Sequence, residues 1–145
     1  MIKIYTVGKL RNPNIKLEIS ELIKRISKIE IIELKEIKHK NIEIIKNKEA
    51  ELFDKFIDKS NYNILLSENG KQLNTFEFSE KLNKLSRNVC FFITGPYGIS
   101  DKIKYKFDYI FSLSKMIFTH EQAQYLLIEQ IYRHDCFNKN INYTK

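Results

Sequence analysis

Short apolar runs recur along the chain at nearly regular intervals. "IKIYTV" (2–7), "IEIIEL" (29–34), "YNILLS" (62–67), "VCFFIT" (89–94) and "YIFSLS" (109–114) are rich in β-branched and aromatic residues and mostly apolar on both faces. That is the pattern of strands covered on both sides in a parallel sheet. Between them apolar residues fall at helical spacing: Ile15, Ile19, Leu22, Ile23 and Ile26, then Leu52, Phe56 and Ile57, then Phe78, Leu82 and Leu85. A last pattern, "HEQAQYLLIEQIYRHDCF" (120–137), brings Leu127, Ile131 and Cys136 near one stripe. Strands alternating with helices predict an α/β fold with a largely parallel sheet, one domain over residues 1–145. The stretch "KHKNIEIIKNKEAELFDKF" (38–56) is polar enough to read as a loop or a frayed helix start.

The chain has only four glycines. On this map Gly8 follows the first strand, Gly70 the third, and Gly95 and Gly98 the fourth, so all four are expected just past a strand's carboxyl end. That edge is where open α/β sheets bind ligands. Any one of these glycines is explained by a tight loop; the four together suggest a site in which "TGPYG" (94–98) wraps a ligand with main-chain atoms. The ligand stays open, because neither G-x-G-x-x-G nor G-x-x-x-x-G-K-[ST] occurs.

Composition narrows the classes further. A net charge of +7 and a pI near 9.3 suit a polyanionic partner, but the charge is spread along the chain and fits solvated helices equally well. No run is long enough to span a bilayer, and the opening "MIKIYTVGKL" carries Lys3 where a signal peptide would be apolar, so the reading is cytoplasmic. Cys90 and Cys136 lack metal-ligand spacing and read as reduced thiols. His39, His120 and His134 show no metal-pair spacing with one another, and Ser112 and Ser114 lack a nucleophile elbow, so no metal is expected. Two charged candidates remain. His120 opens the last helix and reads as a base, a phosphate ligand or a plain surface residue. Arg133 reads as a functional cation or as the partner of Glu129, four residues before it.

Five segments, "YTVGKL" (5–10), "LLSENGK" (65–71), "FFITGPYGI" (91–99), "FSLSKMIFTH" (111–120) and "LIEQIYR" (127–133), resemble the ribosomal RNA large subunit methyltransferase H family in order and spacing over nearly the whole chain. The resemblance implies an enzyme of the SPOUT class that uses S-adenosyl-L-methionine, with a C-terminal trefoil knot and a homodimeric assembly. It implies methylation of N3 of a pseudouridine in 23S rRNA of the assembled ribosome. Two alternatives stay open: a ribosome-binding protein that keeps the cofactor pocket but has weakened catalysis, and a SPOUT methyltransferase with another RNA target.

By position, the resemblance assigns cofactor contacts to Leu66, Thr94, Leu113, Ser114, Lys115, Met116, Ile117 and Phe118, with Gly95 shaping the same loop. Leu66, Leu113 and Phe118 read equally as core on residue type alone. Arg133 is expected to orient RNA, Tyr143 to pack at the target base, and His120 to act as a base. The final helix around Leu127 and Ile131 is expected to contribute to a self-complementary dimer interface, and its apolar stripe also reads as intramolecular core. The chain departs from the family at Thr94, Thr119, Gln124 and Thr144, where relatives usually carry Gly, Pro, Arg and His.

Overall fold

The computed structural model describes residues 1–143. The position at which a histidine is replaced by Thr144 therefore lies outside the described residues. Five strands form one sheet: β1 (Ile2–Val7), β2 (Ile29–Leu34), β3 (Tyr62–Gln72), β4 (Val89–Ile93) and β5 (Tyr109–Ser112), in the order β2-β1-β4-β3-β5. Every adjacent pair is parallel. Parallel neighbours need crossover connections, and helices on both faces bury the strands from each side.

Alternation along the strands divides the core in two. Ile4, Ile64, Leu66, Phe91, Ile93 and Phe111 face α1 (Pro13–Arg25), α3 (Thr75–Asn83) and α4 (His120–Asn138). Tyr5, Val7, Leu65, Cys90 and Phe92 face α2 (Ile42–Asp54) and a short 3-10 turn at Asp101–Lys106. Cys90 and Cys136 are buried free thiols.

Local chemistry starts each α-helix. Asn12 and Asn41 side chains accept amide protons from the first turns of α1 and α2, and Pro13 presets the first dihedral of α1. Asn74 with Glu77, and Thr119 with Gln122, form reciprocal capping boxes on α3 and α4. The polar stretch at 38–56 does contain loop residues at its start, and residues 42–54 within it form a thirteen-residue helix. Its buried stripe is Ile45, Glu49, Ala50 and Phe53, whereas Leu52, which the spacing marks, is only partly covered.

One further expectation changes. Gly70 does not sit in a loop at the open edge: β3 runs on through it to Gln72 and pairs again with β5 after a register shift between Leu66 and Lys71. A Cβ there would lie 2.6 Å from the Ile110 carbonyl oxygen, so glycine permits this close strand approach. Leu127 and Ile131 are wholly buried in the chain's own core, packed with residues of α1 and α3. The stripe they mark is thus intramolecular core, the other reading of that pattern.

Candidate active site

The carboxyl ends of β1, β3, β4 and β5 open onto one cavity of about 790 Å³, of the size that takes a cofactor. Its wall includes Leu66 from β3, Thr94 and Gly95 after β4, and Leu113, Ser114, Met116, Ile117 and Phe118 after β5. These three segments are separated in sequence and meet only because β4 is inserted between β1 and β3 and β5 flanks β3. Of the nine residues marked for a cofactor, Lys115 alone does not border the cavity; its side chain is exposed.

Hydrogen bonds shape both loops. The Gly98 amide donates to the Gly95 carbonyl at 3.2 Å, closing a turn with Pro96 in its second position, and Gly98 takes a φ of +75°. A proline there presets the backbone, and a glycine tolerates the positive φ that a Cβ would strain. After β5, the buried Ser112 hydroxyl donates to the Ser114 carbonyl at 2.8 Å, and the Ser114 hydroxyl accepts the Met116 amide at 3.0 Å. The chain then doubles back, leaving Met116 and Ile117 largely exposed at the cavity rim.

His120 stands at the start of α4 on the cavity wall, its Nε2 buried with no hydrogen-bond partner among the described residues. That Nε2 lies 3.8 Å from where a Cβ on Gly8 would be. Glu121, beside it, accepts the backbone amides of Arg11 at 2.7 Å and Asn12 at 3.0 Å, which fixes the loop after β1 against α4.

One residue of the site escapes sequence reasoning. Glu49 on α2 is 1% exposed and borders the cavity. Its Oε1 accepts the Gly95 amide at 3.0 Å. Burial pushes its carboxyl pKa up; the Gly95 hydrogen bond opposes this, and the charge of Glu36 adds to it. The available signal was a charged residue on the buried stripe, four residues after Ile45 and four before Phe53.

Arg133 and Tyr143 do not border the cavity. Arg133 pairs with Glu129, and its guanidinium carbon lies 4.9 Å from the centre of the Tyr143 ring. Tyr143 also meets Tyr132 edge-on at 5.0 Å. His120 and Arg133 are thirteen residues apart on one helix, about 20 Å at the rise of an α-helix. The two side chains therefore cannot act on one atom within one chain. Gln124 is buried on α4. Among the described residues no three His, Cys, Asp or Glu side chains cluster as a metal site, and no helix is long and apolar enough to cross a membrane.

The fold resembles two solved structures at low identity. A probable methylase family protein from Haemophilus influenzae Rd KW20 superposes with a TM-score of 0.64 at 12% identity, over 99% of this chain and 70% of that one. A putative RNA methyltransferase from Bacillus anthracis gives 0.59 at 13% identity over the whole of both chains. Sequence relatives are nearer. Proteins named ribosomal RNA large subunit methyltransferase H are 41% identical in Dictyoglomus thermophilum, over 91% of each chain, and 38% identical in Caldicellulosiruptor saccharolyticus, over all of each. The one from Clostridioides difficile is 37% identical over 99% of each. The family described as "Predicted SPOUT methyltransferase" matches residues 1–144. With this architecture and these relatives, the chain belongs to the SPOUT methyltransferases, among the ribosomal RNA large subunit methyltransferase H proteins, and is an RNA methyltransferase.

Proposed function

We propose that this protein transfers a methyl group from S-adenosyl-L-methionine to N3 of a pseudouridine in 23S rRNA of the assembled ribosome, working in the cytoplasm as a homodimer with the knotted topology of its class. The observation that carries the reading is the cavity itself: residues from three separated segments line it, and they are the segments whose motifs match the family. The fit to the donor is chemical as well as spatial. Leu66, Ile93, Leu113 and Phe118 offer apolar wall for an adenine and a thioether chain. The His120 Nε2, unpartnered among the described residues, and the buried Glu49 carboxyl offer polar contacts.

When bound, S-adenosyl-L-methionine supplies an electrophilic methyl group for in-line displacement. The residues of this chain have the task of alignment, because most of the rate in such a transfer comes from holding the two reacting atoms in line. Leu113–Phe118 and Thr94–Gly95 hold one partner. Arg133, already oriented by Glu129 and the Tyr143 ring, holds the RNA through its phosphates or a base edge. N3 of pseudouridine is weakly acidic, so its proton leaves to water or to a modest base such as His120.

The distance from Arg133 to the cavity of its own chain supports a shared site, in which Arg133 and Tyr143 of one copy approach the cavity of a second. The test is methyl incorporation into ribosomes lacking the modification, with mixtures of a His120→Ala and an Arg133→Ala chain. Each variant alone should be weak, and the mixture should regain up to a quarter of wild-type activity through the one heterodimeric site that is whole. No regain on mixing would overturn the shared site. Inert wild type would remove the activity altogether, and activity appearing only in Thr144→His would leave a ribosome-binding protein instead.

A further inference from the structure

Glu49 is a buried carboxyl at the floor of a cavity, and the chain does little to hold its charge. One main-chain donor, the Gly95 amide, reaches it. No ion pair among the described residues includes it: Lys46 is 3.9 Å from Glu43, and Arg11 bonds Glu36. Glu36, Glu68 and Glu121 also border the cavity, against Lys9 and Arg11 at its mouth, so acidic groups outnumber basic ones around it. Glu121 is committed to the amides of Arg11 and Asn12. Buried charges ordinarily have a partner, and Glu49 borders a cavity with room for a ligand.

Methyl transfer changes the charge of that ligand, on the reading proposed above, on which this inference rests. The sulfur–methyl bond breaks, a nitrogen–carbon bond forms at N3, and the bonding pair stays on sulfur, which goes from a cationic sulfonium to a neutral thioether. The N3 proton leaves to water. The product therefore carries one positive charge fewer than the donor in every pose it can adopt. A carboxylate within the cavity feels that difference strongly, because Coulomb interactions in a site shielded from water are weakly screened. We propose that Glu49 is the residue by which the site tells the charged methyl donor from its spent product, holding the first and releasing the second.

Residue 95 lies directly against the same carboxyl. A Cβ there would stand 2.8 Å from Oε2 and 3.3 Å from Oε1 of Glu49. Any other residue would push the carboxyl from its place beneath the loop.

Calorimetric titration of the full chain with three ligands tests the assignment: S-adenosylmethionine, S-adenosylhomocysteine, and sinefungin, which has an amine in place of the methyl-bearing sulfonium. Wild type should bind the two cationic ligands about tenfold or more tighter than S-adenosylhomocysteine. Glu49→Gln keeps an acceptor for the Gly95 amide and removes the charge. It should lose about tenfold in affinity for the cationic ligands and change by less than about threefold for S-adenosylhomocysteine. Equal losses for all three would show that Glu49 only shapes the loop, and unchanged affinities would show that it faces nothing; either overturns the proposal and leaves the methyltransferase reading standing. Wild type that binds sinefungin no better than S-adenosylhomocysteine overturns it without any variant. Wild type that binds none of them overturns both.

Discussion

Glu121 accepts the main-chain amide of Asn12, at 3.0 Å, across more than a hundred residues of sequence. The same carboxylate takes the Arg11 amide, and these bonds hold its pKa below the usual glutamate value. A glutamate with a lowered folded pKa stabilises the fold above its unfolded value and loses that effect as pH falls through the folded one. Replacing Glu121 by Ala should cost about 1 kcal/mol after allowance for exposure, which lowers the melting temperature by about 3 °C in a chain of this size. Thermal melts at neutral pH and near pH 3 check it: the gap between wild type and variant should close in acid.

Gly70 and Gly98 should respond to alanine for different reasons. At Gly70 the new Cβ meets backbone, the carbonyl oxygen of Ile110 at 2.6 Å and the carbonyl carbon of Phe111 at 2.8 Å. Backbone paired in a sheet cannot step aside, so Gly70→Ala should destabilise by about 3 kcal/mol. At Gly98 nothing lies within 4 Å, and the cost is that of φ +75° alone, about 1 kcal/mol. Urea unfolding midpoints of the two variants give the order directly.

Arg133→Ala should lower methyl incorporation about 100-fold, equivalent to about 2.7 kcal/mol of transition-state stabilisation. Its binding of S-adenosylmethionine should change less than twofold, because Arg133 stands apart from the cavity. Stability should fall only slightly, since the Glu129 pair it breaks lies on one helix. A matching loss of donor affinity in the titration would contradict the separation of the two regions.

His134 sets an acid limit on stability. Its Nδ1 is 2.8 Å from the Ser79 hydroxyl and its Nε2 is 3.2 Å from Asn138, in the seam between α3 and α4. Burial lowers its pKa below the ordinary histidine value, with the nearby charge of Asp135 opposing. As pH falls below about 6.5, the unfolded chain takes up a proton that the folded chain resists, so stability falls with pH down to the folded pKa. Urea midpoints should drop between pH 7.5 and pH 5.5, and by less in His134→Gln.

Much of the architecture could be read from local pattern. The five strands stand out because both their faces are apolar, and α1, α3 and α4 because apolar residues recur at helical spacing. Helix α2 was obscured because its buried stripe contains Glu49, a residue type that spacing rules count as solvent-facing. Gly70 read as a loop glycine because nothing local distinguishes a turn from two strands that touch. The motif residues of the cavity were legible, Lys115 excepted, since an exposed side chain within a matched segment carries the same letter as a lining one. The separation of Arg133 from the cavity was not legible, because it depends on where a nineteen-residue helix leads rather than on which residues it carries.

The strand order also dictates when the site comes into being. Ile2 at the start of the chain pairs with Val89, and Leu66 with Phe111, so the sheet closes only across long stretches of sequence. Such distant pairings form slowly, since chain entropy is lost before the contacts compensate for it. A chain still being synthesised would hold β1 and β2 together with the central place empty, and β3 would then offer a bare edge until β5 arrived. The cavity draws on residues from Val7 to Ala123, so no folding intermediate that lacks α4 contains it. A ligand of that cavity would therefore protect the finished fold from unfolding without hastening its formation.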